Sequence, residues 1–176
     1  MLFRSAEQAH GQAPDDRQIT DELANRYGWK GAHLEGADHL REALPLRARE
    51  AELVDGLIAL DPRNLEYRER RQYPEIGTAL VLIKLKRPKE AFVLLKRSLA
   101  EYERLEQTMS PNGKVLGNHM RVAFLLAQAA RDAKMPDAPQ YMAAAEALLA
   151  RLKQIESPQL VEAWTRELSE MKGGKR

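Results

Sequence analysis

Residues 61–111 read DPRNLEYRERRQYPEIGTALVLIKLKRPKEAFVLLKRSLAEYERLEQTMSP. Two proline turns bound the stretch, Asp61-Pro62-Arg63-Asn64 and Ser110-Pro111-Asn112-Gly113, and Lys86-Arg87-Pro88 divides it. Between the turns the apolar residues keep helical spacing. Tyr73, Ile76, Leu80 and Ile83 fall on one stripe, and Ala91, Leu95, Ser98, Leu99, Tyr102 and Leu105 on the next. Intervals of three and four residues place each set on one helix face. Alternation at period two is not sustained anywhere, so a strand reading fails. Proline lacks an amide hydrogen and suits the first turn of a helix, while Asp or Ser before it can cap that helix. Asp61-Pro62 and Ser110-Pro111 are therefore expected to start helices. Pro88 marks a turn between two helices of one unit.

The same signals recur outward. Ser157-Pro158-Gln159 repeats the bounding turn, so that Pro62, Pro111 and Pro158 stand 49 and 47 residues apart. Lys134-Met135-Pro136 repeats the dividing turn, with Pro88 and Pro136 separated by 48 residues. Fixed periods of this size mark repeat architectures. Val115, His119, Val122, Leu126 and Ala129 form one further stripe, and Tyr141, Ala145, Leu148, Leu152 and Ile155 another. After Pro158, a single apolar face of Val161, Trp164, Leu168 and Met171 opposes Glu162, Arg166, Glu167 and Glu170. That pattern suits a lid, because a stacked array must cover its last apolar surface. The expected layout is repeats at 16–61, 62–110 and 111–157, a capping helix at 158–172 and a disordered tail at 173–176. Residues 1–15 are polar and turn-rich with no helix cap. They read as a disordered or truncated start, which implies a longer natural chain.

Composition agrees with an all-α chain. Of 176 residues, 31% are charged and 6% aromatic, and Ala, Leu, Glu, Arg and Lys dominate. The length suits one ordinary domain with a real core. With 28 basic against 26 acidic residues the formal charge is +2, a balance that does not mark a nucleic-acid binder. The absence of cysteine excludes disulfides and thiolate metal sites. No apolar run is long enough to span a bilayer, and the N-terminus lacks a signal-peptide core, so a cytoplasmic address is the default expectation.

The middle unit resembles a tetratricopeptide (TPR) repeat, whose pattern runs Trp-x2-Leu-Gly-x2-Tyr, then Ala-x3-Phe, then Pro. Tyr73-x2-Ile76-Gly77-x2-Leu80 keeps size and spacing, Ala91-x3-Leu95 follows, and Pro111 closes the unit. The first unit offers Tyr27, Gly31, Leu34, Ala43 and Pro62, and departs at Lys30 and Arg47. The third offers Val122, Leu125, Ala129, Ala138-x3-Met142 and Pro158, with Leu126 at the small position. The unit is about 48 residues instead of about 34, the excess lying mostly in a longer second helix. Such long repeats resemble those that follow the kinase domain in some bacterial serine/threonine protein kinases. The chain itself carries no Gly-rich loop, His-Arg-Asp loop or Asp-Phe-Gly triplet. The resemblance implies antiparallel helix pairs stacked as a right-handed α-solenoid over residues 16–172. It also implies a groove lined by the first helix of each repeat.

No catalytic motif is present, neither Gly-x-Ser-x-Gly, nor a P-loop, nor Gly-x-Gly-x-x-Gly. His33 and His39 flank Glu35 and Asp38, but their spacing straddles a turn at Gly36, and they read as solvated turn residues and not metal ligands. His119 lies on an apolar stripe and reads as a packed histidine. Tyr67, Tyr73, Tyr102, Tyr141, Trp29 and Trp164 fall at helix-packing positions. Lys84, Lys86, Arg87 and Lys89 suit the negative end of a helix dipole, whereas Arg68, Arg70 and Arg71 sit near a helix N-terminus, where cations are disfavoured. Arg68, Arg71, Asn118 and Arg121 are the candidate peptide-binding residues, able to grip a carboxylate through charge-assisted hydrogen bonds. The chain is expected to be a non-catalytic protein–protein interaction module, monomeric or a weak homodimer, with no cofactor, nucleic acid or membrane partner. A docking fragment of a kinase or other signalling protein, and a homodimerising structural domain, are the alternatives.

Overall fold

The computed structural model describes residues 2–109 and 112–173. Every regular element among them is a helix, and the chain divides into two compact units, residues 1–87 and 88–176. No helix among the described residues is long and apolar enough to cross a membrane. The expectations on Ser110, Pro111 and residues 174–176 lie outside the described residues, as do those on the side chains of Leu168, Met171, Glu167 and Glu170.

The first unit holds α1 (Leu2–Gln12), α2 (Arg17–Gly36), α3 (Leu40–Leu60), α4 (Leu65–Arg70) and α5 (Gln72–Lys84). There α2 packs on α1, α3 and α5, and α3 on α4 and α5. The second unit holds α6 (Pro88–Thr108), α7 (Gly113–Asp132), α8 (Ala138–Ile155) and α9 (Pro158–Gly173). There α7 packs on α6, α8 and α9, and α8 on α9.

Helix starts follow one rule. Asp16, Asn64 and Asn112 are N-caps whose side chains accept from the backbone N–H groups two and three residues on. They stand 48 residues apart. The cap expected at Asp61 is thus corrected to Asn64, and α7 is capped by Asn112. Asp61 belongs to the previous helix, its N–H bonded to the Leu57 carbonyl at 3.1 Å. Pro62 and Arg63 make only the turn.

Helix ends follow a second rule on the same period. Asp38, Lys86 and Lys134, again 48 residues apart, have φ of 63°, 60° and 58°. Each closes its helix with a Schellman pair. Asp38 N–H meets the Glu35 carbonyl at 3.3 Å and His39 N–H meets that of Leu34 at 2.8 Å. Lys86 and Arg87 repeat this on Ile83 and Leu82, and Lys134 and Met135 on Arg131 and Ala130.

Residues 1–15, expected as a disordered or truncated start, carry α1 over Leu2–Gln12. Ala6 packs on the cluster of Leu23, Ala24, Tyr27, Leu53 and Val54. Tyr27 O–H donates to Glu7 Oε1 at 2.5 Å, and His10 shares a hydrogen bond with Thr20. These contacts anchor α1 on α2 and on the cluster that α2 shares with α3.

The stripes read from spacing are buried in α6 and α7. Ala91, Leu95, Ser98, Tyr102 and Leu105 are buried in α6; Val115, His119, Val122, Leu126 and Ala129 are buried in α7. On α8, Ala145, Leu148 and Leu152 join Leu116, Met120 and Phe124 in one cluster, which Trp164 of α9 covers. The stripe around Tyr73 begins late because the helix breaks at Arg71. Pro74 has no N–H to give Arg70, and its ring would crowd that carbonyl.

Arg47, where the repeat pattern wants an apolar residue, is buried between α2 and α5. Its Nε donates to Glu35 Oε1 at 2.8 Å, and Nη1 to Glu50 Oε2 at 2.9 Å and to the Gly28 carbonyl at 3.3 Å. A Cβ on Gly77 would collide with its guanidinium, so the small residue at 77 makes room for a long one at 47. Burial works against the Arg47 charge but is outweighed by its two carboxylates, so the guanidinium is held charged. Burial dominates at Glu50 and lifts its carboxyl above the usual range.

Candidate functional site

The four candidate residues fall two in each unit, Arg68 and Arg71 on α4 and at its end, Asn118 and Arg121 on α7. Asn64 starts the short turn that carries Arg68, and the break at Arg71 points its side chain back to α3. Arg71 donates to Asp55 Oδ1 at 2.7 Å and to Glu75 Oε1 at 3.0 Å. Burial opposes its charge, and these two carboxylates more than restore it. The cation that looked misplaced near a helix N-terminus is therefore held by acids on α3 and α5. Its neighbour Arg70 is held likewise, by Asp21 and by Asn25 Oδ1 at 2.9 Å on α2. Arg68 is half-buried.

In the second unit, Asn118 is buried and Arg121 half-buried on α7. Beside them on α7, His119 belongs to a cluster that spacing did not reveal. Glu106 of α6 bonds through Oε1 to His119 Nδ1 and through Oε2 to Arg151 Nη2 of α8, the latter at 2.7 Å. The His119 ring, 7% exposed, stacks on Tyr102 with centroids 6.2 Å apart and planes 12° from parallel. Burial raises the Glu106 carboxyl, but the hydrogen bonds from His119 and Arg151 together outweigh it and leave it below the usual range. Beside the cluster opens a cleft of about 220 Å³, lined by Met109, Val115, Leu116 and Ile155 with Asn112, Arg151 and Gln154 among its polar residues.

His119 packs as expected, yet its partner was missed, because thirteen residues and a turn separate it from Glu106. The first unit has two contacts of the same kind, Glu7–Tyr27 between α1 and α2 and Asp55–Arg71 between α3 and the end of α4, but the three pairs do not share one spacing. The aromatic expectation needs one correction. Trp29 is 79% exposed, while Trp164 packs against the α7–α8 cluster.

His39 Nδ1 bonds Glu42 at 3.0 Å, and His33 is exposed. Among the described residues no group of three or more His, Asp or Glu could hold a metal ion. Comparison with protein-family models, with curated proteins and with solved structures gave no match.

Proposed function

We propose that this chain is a TPR-like helical-repeat module that binds a protein partner and carries out no reaction. One observation carries the reading. Caps at 16, 64 and 112 and left-handed residues at 38, 86 and 134 keep a common 48-residue period. Two kinds of helix-end chemistry on one period favour repeated helix pairs, and stacked pairs build extended binding surfaces. On this reading the pairs wind as a right-handed superhelix and the first helices line its groove.

The partner segment in this proposal is acidic. Each unit is read by itself: Arg68 and Arg71 offer guanidiniums to an acidic segment in the first, and Arg121 with the amide of Asn118 does so in the second. The test is an array of acidic and neutral peptides probed with the purified chain, beside the Arg68→Ala/Arg121→Ala variant. Retention of acidic peptides by the parent and their loss in the variant is expected. Equal retention of neutral peptides, or an unchanged pattern in the variant, would overturn the assignment.

A further inference from the structure

The cleft beside the His119 cluster is built where three helix ends of the second unit meet, the end of α6, the start of α7 and the end of α8. Its floor is apolar. Val115 and Leu116 are buried and Met109 is half-buried, while Ile155 is 46% exposed and leaves one side open. The volume of about 220 Å³ lies below the ~300–1,000 Å³ of drug-sized sites, so the cleft admits one bulky side chain and little more.

The polar rim has donors to spare and no carboxylate to spare. Both oxygens of Glu106 are engaged, one by His119 and one by Arg151. Asn112 Oδ1 accepts from the N–H groups of Lys114 and Val115, which leaves its NH2 group to donate. Arg151 gives one N–H to Glu106, and among the described residues nothing else takes its other donors or the Gln154 amide. Glu156 lies against Gly113, so the first turn of α7 already has an anion of its own. A guanidinium and two amides around an apolar floor match an apolar group that carries a carboxylate.

We propose that this cleft binds the C-terminal residue of a partner polypeptide, its apolar side chain on Val115, Leu116 and Ile155 and its terminal carboxylate on Arg151. A C-terminal residue carries carboxylate and side chain on one Cα, which suits a cleft one residue in size. The open side at Ile155 lets the preceding chain leave, past the amides of Gln154 and Asn112. The inference rests on reading the chain as a partner-binding module. It does not rest on the acidic-segment residues, because neither Asn118 nor Arg121 lines the cleft.

The test titrates the full chain, methyl-labelled at Ile, Leu and Val, with acetyl-Gly-Ser-Gly peptides ending in Leu or Phe with a free carboxylate. The same peptides ended as amides, and isocaproate, are the comparison probes. The variants are Arg151→Met, Gln154→Glu and Arg68→Ala/Arg121→Ala. Arg151 is 57% exposed and Gln154 makes no contact to lose, so circular dichroism should show the parent fold in both cleft variants. Gln154→Glu alone carries the test if Arg151→Met does not fold. Saturable shifts of the Val115, Leu116 and Ile155 methyls are expected with a free-acid peptide. The amide ending and either cleft variant should weaken binding about tenfold or more, and Arg68→Ala/Arg121→Ala should leave it unchanged. Absence of a saturable shift, equal binding of the amides, or unchanged binding in the cleft variants would overturn the site. Isocaproate binding as tightly as the peptides would overturn the polypeptide end as its occupant. Loss in Arg68→Ala/Arg121→Ala alone would overturn the cleft and leave the acidic-segment reading standing.

Discussion

Arg47→Met removes the guanidinium from between Glu35 and Glu50 while keeping most of the side chain's length. The three side chains are 9%, 14% and 8% exposed, so water replaces little of what the two carboxylates lose. Removing one member of a buried ion pair costs about 3–5 kcal/mol. Glu35 lies nearer the surface, so the expected loss is about 3 kcal/mol, the low end of that range. In urea this lowers the midpoint by roughly 1–2 M, followed by circular dichroism. The pH dependence provides a second check. Burial already lifts Glu50 above its unfolded value. Its contribution is therefore fully present below the unfolded pKa and lost as pH rises through the folded one. Without Arg47 that rise grows, so the variant's deficit is full at neutral pH and shrinks under mild acid. Adding Glu50→Leu and Glu35→Gln removes the stranded charges and returns stability to within about 1 kcal/mol of the parent. A midpoint shift below about 0.3 M for the single variant, set against ordinary urea slopes, would refute the reasoning. So would an equal deficit at both pH values.

Asn64→Ala and Asn112→Ala each remove two capping bonds and are expected to cost about 1 kcal/mol in urea unfolding; a neutral result would mean the caps are idle. Lys134→Gly relieves a left-handed lysine and should raise the melting temperature, the gain reduced to roughly 0.5 kcal/mol by glycine's freer unfolded state. A fall in melting temperature would argue against that conformation. Glu106 lies below its usual range, so its contribution is present above the unfolded pKa and lost as pH falls through the folded one. Glu106→Gln should therefore flatten the acid limb of the stability profile. An unchanged limb would show that the contacts with His119 and Arg151 contribute little.

Much of the helical layout was legible because proline and apolar spacing act locally. Pro88 and Pro158 begin helices, and the stripes on α6 and α7 are buried, although α7 is buried on nearly all sides. The cap at Asn64 was misplaced to Asp61 because both have capping side chains, while the choice among the polar turn residues depends on where the previous helix stops. The left-handed ends were illegible. Glycine is the usual sign, and here Asp38, Lys86 and Lys134 adopt the conformation. Arg47 stood out as a departure, but its partners lie three residues along one helix and across the turn on another. Of the candidate site, Arg71 was noticed for lacking a local reason. Glu75, four residues on, is a local partner, while Asp55 is sixteen residues back on α3. α1 escaped notice because its alanines bury little and its anchors belong to α2.

The helix contacts within each unit also bear on how fast the chain can find its structure. Each helix packs on helices one or two places along in its unit, treating α4 and α5 as one broken rod. The loops closed in forming these contacts are short, and the entropy lost in closing a loop grows only with the logarithm of its length. Local wiring of this kind characterises domains that fold in microseconds to milliseconds. A destabilised junction such as that in Arg47→Met should then speed opening of α2, α3 and α5 more than it slows their closing. Hydrogen exchange would resolve that opening as a patch of weakened amides along these three helices.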